Sequence, residues 1–270
     1  MPKPRILVTR PSHQAAGQAA LLESLGAEPV LLPLLEIKPV EASDEGFNLL
    51  KSRVMDLDLY HKVIFISGNA VTYGIDLIDQ YWPQLPVGVE WLAIGRQTAA
   101  QLDSLGITAT QSPDGYDSEA LLALPQLQQI TTDRILIMRG VGGRKTLAEQ
   151  LSQRGARVDY ADLYRRTAPH YTSAQISSII SNTSNNSAST RAEPLSAVLI
   201  TSGEALNNLT QLITEHNFKQ FLHTTLVVPS ARVARIAAEL GYTRVITASG
   251  PDNQAMAETV LSTIDMDDRT

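Results

Sequence analysis

The stretch Arg134-Ile135-Leu136-Ile137-Met138-Arg139 decides the fold, because it repeats Arg5-Ile6-Leu7-Val8-Thr9-Arg10 at a distance of 129 positions. The match continues without gaps, since Leu25-Gly26-Ala27 corresponds to Arg154-Gly155-Ala156. Short apolar runs of this kind are typical of strands that are covered on both faces of a sheet. A repeat of this length predicts that the protein consists of two similar halves.

A second repeat has a different spacing. The run Val63-Ile64-Phe65-Ile66-Ser67-Gly68-Asn69-Ala70 corresponds to Val198-Leu199-Ile200-Thr201-Ser202-Gly203-Glu204-Ala205, which lies 135 positions later. Two related domains are expected to enclose a cleft, and ligands often bind between domains. The change of spacing leaves two arrangements open. The domains are consecutive, over about 1–126 and 127–270, or the chain begins one domain, builds the second and returns to the first.

Composition excludes several classes of protein. The chain has 270 residues, of which 43% are hydrophobic and 19% charged, as in ordinary soluble globular proteins. It has no cysteine, which excludes disulfides, thiolate catalysis and cysteine-ligated zinc and suits a reducing compartment. No apolar run is long enough to span a membrane, and we expect a cytoplasmic protein. The net charge of −6 argues against non-specific nucleic-acid binding, so an anionic ligand needs local donors.

Short apolar runs alternate with amphipathic stretches along the chain. This alternation predicts βαβ units and an α/β fold with two similar, doubly wound, parallel-sheet domains. Glycine follows several predicted helices, as in Leu25-Gly26 and Arg154-Gly155, which is the usual signal for a helix end. The predicted strands are Arg5–Thr9, Glu28–Leu32, Lys62–Ile66, Trp91–Ile94, Arg134–Met138, Arg157–Asp162, Ala197–Thr201, Thr225–Val228 and Arg244–Thr247.

Two further segments bear on the domain arrangement. Residues 181–196 have almost no apolar content in their first ten positions, which predicts a flexible loop. The segments Leu35-Glu36-Ile37-Lys38-Pro39 and Tyr164-Arg165-Arg166-Thr167-Ala168 occupy equivalent positions in the repeat. They are candidates for two antiparallel connectors that lie side by side between the domains.

Small polar residues recur between predicted strands and the helices that follow them. In an open α/β sheet these positions lie at the carboxyl ends of the strands, where ligands bind. Each position also opens a helix, whose free N–H groups and dipole attract carboxylates or phosphates. The alternative is that each is only a helix cap. The candidate binding residues of this kind are Ser67, Gly68, Asn69, Thr98, Ser202, Gly203 and Ser230.

Other strand ends carry residues of a different chemistry. Arg10 and Arg139 are equivalent in the repeat, and they either face the cleft or cap the edge of a sheet. Gly140-Val141-Gly142-Gly143 has some character of a phosphate loop but lacks the full glycine spacing, so a tight turn is the alternative. Tyr164 stands where the other repeat has Leu35. A phenol at this position is either a donor of a proton into the cleft or an ordinary strand-end tyrosine.

An ordered set of blocks resembles the uroporphyrinogen-III synthase family and covers nearly the whole chain. No single block is diagnostic, but the ordered set is fairly specific. The residues similar to the family's central block are Ile135-Leu136-Ile137-Met138-Arg139-Gly140, Gly143-Arg144, Leu147, Leu151, Arg154-Gly155-Ala156, Val158 and Tyr164-Arg165-Arg166. The other similar blocks are Ile6-Leu7-Val8-Thr9-Arg10-Pro11, Phe65-Ile66-Ser67-Gly68-Asn69-Ala70-Val71, Ala93-Ile94-Gly95-Arg96-Gln97-Thr98-Ala99 and Ser118-Glu119-Ala120-Leu121-Leu122.

The resemblance implies two α/β domains joined by a two-stranded connector, with a cleft between them. It favours the crossing arrangement, with a discontinuous domain over 1–36 and 168–270 and an inserted domain over 37–167. The implied activity is that of a lyase of tetrapyrrole (haem and sirohaem) biosynthesis. Such a lyase closes hydroxymethylbilane to uroporphyrinogen III, with inversion of ring D and loss of water. The resemblance implies a monomer without cofactor or metal, and a transient encounter with hydroxymethylbilane synthase.

The resemblance also assigns a role to Tyr164, which matches the family's near-invariant tyrosine and is expected to assist departure of the hydroxyl. The chain departs from the family's pattern at Asn69, where many relatives carry a cation. It also has Val233 at the position that corresponds to Thr98, and Ser230 and Arg232 are expected to substitute for the missing hydroxyl. The competing hypotheses are a two-lobed binding or sensor module without catalysis and a nucleotide-binding protein.

Overall fold

The computed structural model describes residues 3–113, 115, 117–143, 145–181 and 194–267. Most of the flexible loop predicted over 181–196 lies outside these residues. Within them, no helix combines the length and the apolar character that a membrane crossing requires.

The chain forms two compact units. One comprises Met1–Glu36 and Thr167–Thr270, and the other comprises Ile37–Arg166. We call them the split unit and the inserted unit. The chain therefore passes into the inserted unit once and leaves it once, as in the crossing arrangement. The domain boundaries expected from the sequence, as independently folding parts, stay a prediction.

Eleven strands and ten α-helices make up the described part of the chain, together with short 3₁₀ turns. The strands are β1 (Arg5–Val8), β2 (Glu28–Leu31), β3 (Glu36–Pro39), β4 (Lys62–Phe65), β5 (Glu90–Ala93), β6 (Thr110–Gln111), β7 (Arg134–Gly140), β8 (Arg157–Thr167), β9 (Ala197–Leu199), β10 (Thr225–Val228) and β11 (Val245–Thr247). The helices are α1 (Ser12–Ser24), α2 (Phe47–Met55), α3 (Gly68–Ile78), α4 (Arg96–Ser104), α5 (Ser118–Leu122), α6 (Thr146–Gln153), α7 (Ser173–Ser181), α8 (Gly203–His216), α9 (Ala231–Glu239) and α10 (Asn253–Asp267).

The two sheets share one strand order, which explains the two repeat spacings. The split unit has the order β11-β10-β9-β1-β2, and the inserted unit has β6-β5-β4-β7-β8 with β3 added beside β8. The 129-residue spacing relates β1 and β2 to β7 and β8, while the 135-residue spacing relates β4, β5 and β6 to β9, β10 and β11. Each unit therefore contains one copy of each half, and their chain order is circularly permuted between the units.

In each sheet the five strands of the shared order pair in parallel and are covered on both faces, which confirms the predicted fold class. The side chains of β1 show how helices cover both faces of the sheet in the split unit. Leu7 packs into one core cluster with α8 residues, whereas Ile6 and Val8 pack into a second cluster with α1 and α10 residues. In the inserted unit, Phe65 and Ile64 separate in the same way into two clusters. The continuous apolar runs of the sequence follow from this double coverage.

The strand predicted over Arg157–Asp162 is longer in the structure, where β8 continues to Thr167. The additional residues lie beside β3, and the Val40 N–H donates to the Leu163 carbonyl at 2.9 Å. The segment Tyr164-Arg165-Arg166 is polar at two of its three positions, so its apolar pattern is weak. The partner strand β3 keeps these residues extended, and single-strand periodicity did not contain that information.

Two equivalent helix ends provide a test of backbone strain. Gly26 and Gly155 follow α1 and α6 with φ of 89° and 93°, in the left-handed region. A methyl group on Gly26 has open space, whereas one on Gly155 lies 3.2 Å from the Thr131 Cα. We expect Gly26→Ala to lower the free energy of unfolding of its unit by about 1 kcal/mol through φ strain, and Gly155→Ala by about 2–3 kcal/mol through strain and crowding. Urea unfolding of both variants measures this difference. Equal losses would contradict the contribution of Thr131.

Candidate active site

In each unit, there are two neighbouring strands from which the later strands extend toward opposite edges of the sheet. In the inserted unit these strands are β7 and β4, and the helices that follow them, α6 and α3, pack into clusters on opposite faces. In the split unit the strands are β1 and β9, and α1 and α8 likewise lie on opposite faces. The carboxyl ends of such strand pairs leave a crevice in which open α/β sheets bind ligands. Most of the residues selected from the sequence lie at these ends or beside them.

Three serines at these ends cap helices with their side chains. The Ala70 N–H donates to Ser67 Oγ at 3.1 Å at the start of α3. The Ala205 N–H donates to Ser202 Oγ at the same distance, and the Val233 N–H donates to Ser230 Oγ at 3.5 Å. All three hydroxyls therefore cap their helices, and whether these positions also bind a ligand stays a prediction. The other N–H groups of each first turn, including those at Gly68, Asn69 and Gly203, have no carbonyl partner within their own helix and suit an anion.

Tyr164 lies inside β8 and within the core, which corrects the expectation of a strand-end tyrosine. The residue is 2% exposed, and its phenol oxygen lies 3.0 Å from Ser67 Oγ. The Tyr73 ring packs against it with the ring centroids 5.7 Å apart, and the Tyr73 hydroxyl donates to the Ile37 carbonyl of β3. Burial raises the pKa of the Tyr73 phenol, which therefore stays neutral beside Tyr164.

Gly140 leaves the space that the Tyr164 ring occupies. The two residues are register partners across β7 and β8, beside a bulge between Arg139 and Gly140. A methyl group on Gly140 would lie 2.6 Å from Tyr164 Cε2 and 2.8 Å from Cζ, much closer than van der Waals contact. The glycine is thus required by the tyrosine, and the segment that follows is the tight turn of the alternative interpretation.

Arg139 is engaged within the inserted unit. Its Nε donates to Asp162 Oδ1 at 2.8 Å, and Nη1 donates to the Gly143 carbonyl at 3.3 Å. The guanidinium also lies 3.5 Å from the centroid of the Tyr160 ring, and the residue is only 7% exposed. These contacts favour the sheet-edge alternative, in which Arg139 holds the turn after β7.

Arg10, the counterpart of Arg139, has a looser environment. Its Nη2 donates to the Pro251 carbonyl at 3.0 Å, and its buried Nε has no hydrogen-bond partner within the described residues. Burial lowers the pKa of its guanidinium, and the nearby Asp252 carboxylate opposes this effect. Arg10 therefore retains donor capacity at the carboxyl end of β1.

Two helix N-termini carry exposed arginines, and the sequence interpretation selected only one of them. Thr98, in the first turn of α4, is 6% exposed, so its hydroxyl offers little surface to a ligand. Arg96 opens the same helix and is exposed, as is Arg232 in the first turn of α9. A methyl group on Gly203 would lie 3.8 Å from Arg232 Nη1, which places this guanidinium near the start of α8.

A signal for Arg96 was present in the sequence. A helix dipole disfavours positive charge in the first turn, so an arginine there opposes the local preference. A bound anion removes that conflict, and residues that break a local rule often mark functional positions. Among the residues that the structure describes, neither Arg96 nor Arg232 forms a salt bridge. In the same part of the chain, no group of three or more acidic or histidine side chains is arranged to hold a metal.

Comparison with known proteins gives consistent results. The family model described as uroporphyrinogen-III synthase HemD matches residues 17–258. The uroporphyrinogen-III synthase of Escherichia coli K12 is 34% identical over 93% of this chain and 97% of its own length, and that of Salmonella typhimurium LT2 is 32% identical with the same coverage. The uroporphyrinogen-III synthetase of Helicobacter pylori has a similar fold, with a TM-score of 0.58 at 14% identity over 97% of this chain and 100% of that one.

The contact between Gly140 and Tyr164 predicts a selective effect of one methyl group. We expect Gly140→Ala to displace the Tyr164 ring and to lower the free energy of unfolding by about 1–3 kcal/mol. Gly143→Ala is the control, because its nearest neighbours would lie 3.7 Å away, at ordinary contact distance. Urea unfolding and the near-ultraviolet circular dichroism of the tyrosines measure both effects. A Gly140→Ala variant as stable as Gly143→Ala would show that the ring is not confined there.

Proposed function

This chain belongs to the uroporphyrinogen-III synthase family, whose members are cyclising hydro-lyases, and from that premise we propose how its residues divide the reaction. Tyr164 supplies the proton that helps the hydroxyl of hydroxymethylbilane to leave. Helix N-termini at the carboxyl ends of the strands bind the substrate's carboxylates. The observation that carries the proposal is the Tyr164–Ser67 hydrogen bond. It lies beside the carboxyl ends of β4 and β7, the two strands from which the sheet of the inserted unit extends in opposite directions.

Binding of the substrate is a problem of anion recognition by an acidic protein. Hydroxymethylbilane carries eight carboxylates, whereas the chain has a net charge of −6. Uncapped N–H groups at the starts of α3 and α8 provide neutral donors. Arg96 and Arg232 add two exposed positive charges at the starts of α4 and α9, and Arg10 adds a partly buried one. These local donors compensate for the unfavourable overall charge.

Catalysis then consists of assisted departure followed by oriented closure. When the hydroxyl leaves as water, the substrate becomes an azafulvene-like cation whose charge is delocalised over a pyrrole. The substituted carbon of ring D attacks this cation and forms a spiro intermediate. The bond between that carbon and its original bridge then breaks, and the bridge bonds to the other α-carbon of ring D, which loses its proton, so ring D is inverted when the macrocycle closes. The cation forms readily, so the protein contributes chiefly by holding a flexible chain in a near-ring conformation. The residues that do this need no bound cofactor for any step.

We further propose a cytoplasmic monomer. The absence of cysteine suits a reducing compartment. The substrate closes spontaneously to the type I isomer, so rapid delivery is an advantage. A transient encounter with hydroxymethylbilane synthase, the enzyme that releases the substrate, would shorten the time during which this side reaction occurs.

The identity of the product tests the activity. Freshly generated hydroxymethylbilane incubated with the protein should give the type III isomer, whereas the substrate alone gives type I. Chromatographic separation of the oxidised products measures the ratio. Formation of type I alone would contradict catalysis and favour a two-lobed binding module.

The role of Tyr164 predicts a kinetic effect without loss of the fold. Tyr164→Phe keeps the ring that packs against Gly140 and Tyr73 and removes only the hydroxyl. We expect the rate of type III formation to fall by about 10²-fold, the usual contribution of a general acid. Thermal unfolding of the variant controls for stability. Near-normal turnover would show that the phenol does not supply the proton.

A further inference from the structure

The hydrogen bond between Tyr164 and Ser67 has a direction that the surroundings determine. Tyr164 as a whole residue is 2% exposed, and Ser67 Oγ is the one hydrogen-bond partner of its hydroxyl among the described residues. If Ser67 donated, the phenol proton would be buried without an acceptor, which is unfavourable. The tyrosine is therefore the donor, and Ser67 Oγ is the acceptor.

One hydrogen-bonding group of the Ser67 hydroxyl has no partner among the described residues. A serine oxygen has two lone pairs and one proton. The Ala70 N–H donates to one lone pair at 3.1 Å, and in the direction inferred above the Tyr164 hydroxyl, 3.0 Å away, occupies the other. The Ser67 proton is the only part of this hydroxyl not engaged by the protein, and Ser67 is partly exposed whereas Tyr164 is not.

We propose that the proton supplied by Tyr164 reaches the substrate through Ser67, so that Ser67 is the residue that contacts and protonates the leaving hydroxyl and Tyr164 is a positioning and relay residue behind that step. This inference rests on the proposed function and refines its proton donor. Ser67 lies at the carboxyl end of β4, where open α/β sheets bind ligands, and it is partly exposed, whereas Tyr164 is 2% exposed. Successive hydrogen bonds polarise one another, and the N-terminus of α3 stabilises negative charge on Ser67 Oγ.

Each proton in the relay has a donor and an acceptor. The C–O bond of the substrate's hydroxymethyl group breaks, and its electron pair leaves on oxygen. That oxygen takes the Ser67 proton and departs as water, while Ser67 Oγ takes the Tyr164 proton. The products of this step are water, a substrate cation and a phenolate. After ring closure, the proton lost from the attacked pyrrole returns through Ser67 to the phenolate. Both side chains are restored, and the net reaction is loss of one water.

The split unit has no counterpart of the Tyr164–Ser67 pair, which allows a comparison within the same protein. Ser202 is the repeat counterpart of Ser67 and caps α8 through the Ala205 N–H at the same 3.1 Å distance. The counterpart of Tyr164 is Leu35, whose side chain has no hydroxyl. The cap alone therefore explains neither the tyrosine nor the glycine that makes room for it.

Five variants test the relay. Ser67→Ala removes the hydroxyl and the cap, Ser67→Thr keeps both, and Tyr164→Phe removes the phenol. The double variant Ser67→Ala/Tyr164→Phe completes a cycle. Asp117→Ala is the matched control for a lost cap, because Asp117 Oδ1 accepts the Ala120 N–H at 2.8 Å at the start of α5, outside the site. The readouts are the initial rate of type III formation, kcat and KM separately, and thermal unfolding.

We expect Ser67→Ala to lower kcat by about 10²-fold with little change in KM, and Ser67→Thr to stay within about fivefold of the unmodified protein. Asp117→Ala should unfold earlier without losing activity. The double variant should be no more than about threefold slower than the slower single variant, since two residues in series lose their function together.

Other outcomes would overturn the inference or the function separately. If Ser67→Ala kept its kcat while Tyr164→Phe lost it, the phenol would meet the substrate directly. If the two effects multiplied in the double variant, the residues would act independently. If both single variants turned over normally, neither would supply the proton. Production of type I alone by the unmodified protein would instead refute the proposed function.

Discussion

The pairing of β1 with β9 is the contact on which the split unit depends. These strands are neighbours in the sheet although the entire inserted unit separates them in the chain. The Thr9 hydroxyl donates to the Leu199 carbonyl at 2.6 Å, and the Ser196 N–H donates to the Arg5 carbonyl at 2.8 Å. Closure of so long a loop costs conformational entropy, although the cost grows only slowly with loop length. A folded inserted unit reduces it, because it fixes most of the intervening residues.

The equivalent strand junction in the inserted unit holds the tyrosine. There β7 and β4 join the two repeated halves, and their carboxyl ends hold Gly140 against the Tyr164 ring and Ser67 against its hydroxyl. The equivalent junction in the split unit has the serine cap but not the tyrosine. One scaffold therefore occurs twice, with serine-capped helix N-termini in both copies and the Tyr164–Ser67 hydrogen bond in only one. The tyrosine replaces the Leu35 of the other copy, and the glycine at position 140 leaves room for its ring.

The sequence predicted the parts that depend on periodicity and on the repeat. Buried strands such as β1 and β4 have continuous apolar runs, and the serines at 67, 202 and 230 follow from helix-start chemistry. The repeat also suggested that the segments around Leu35 and Tyr164 lie side by side, as β3 and β8 do. The features that the sequence missed or left open depend on neighbours that are distant in the chain. The burial of Tyr164 was missed because it requires Gly140, and the role of Arg139 stayed open because it requires Asp162 and Tyr160. Arg96 was missed for another reason: its unfavourable position in a helix dipole was not used as a signal.

The adjacency of β3 and β8 has an evolutionary consequence. The two ends of the inserted unit lie beside each other in one sheet, so the unit occupies a single opening in its host. A duplicated copy whose ends are neighbours, and whose chain order is permuted at one loop, can be inserted into a surface loop of the other copy. The strand order of that other copy then stays unchanged. The ancestor inferred from this arrangement is a single half-size protein. The two units differ in the order of their halves along the chain although not in strand order.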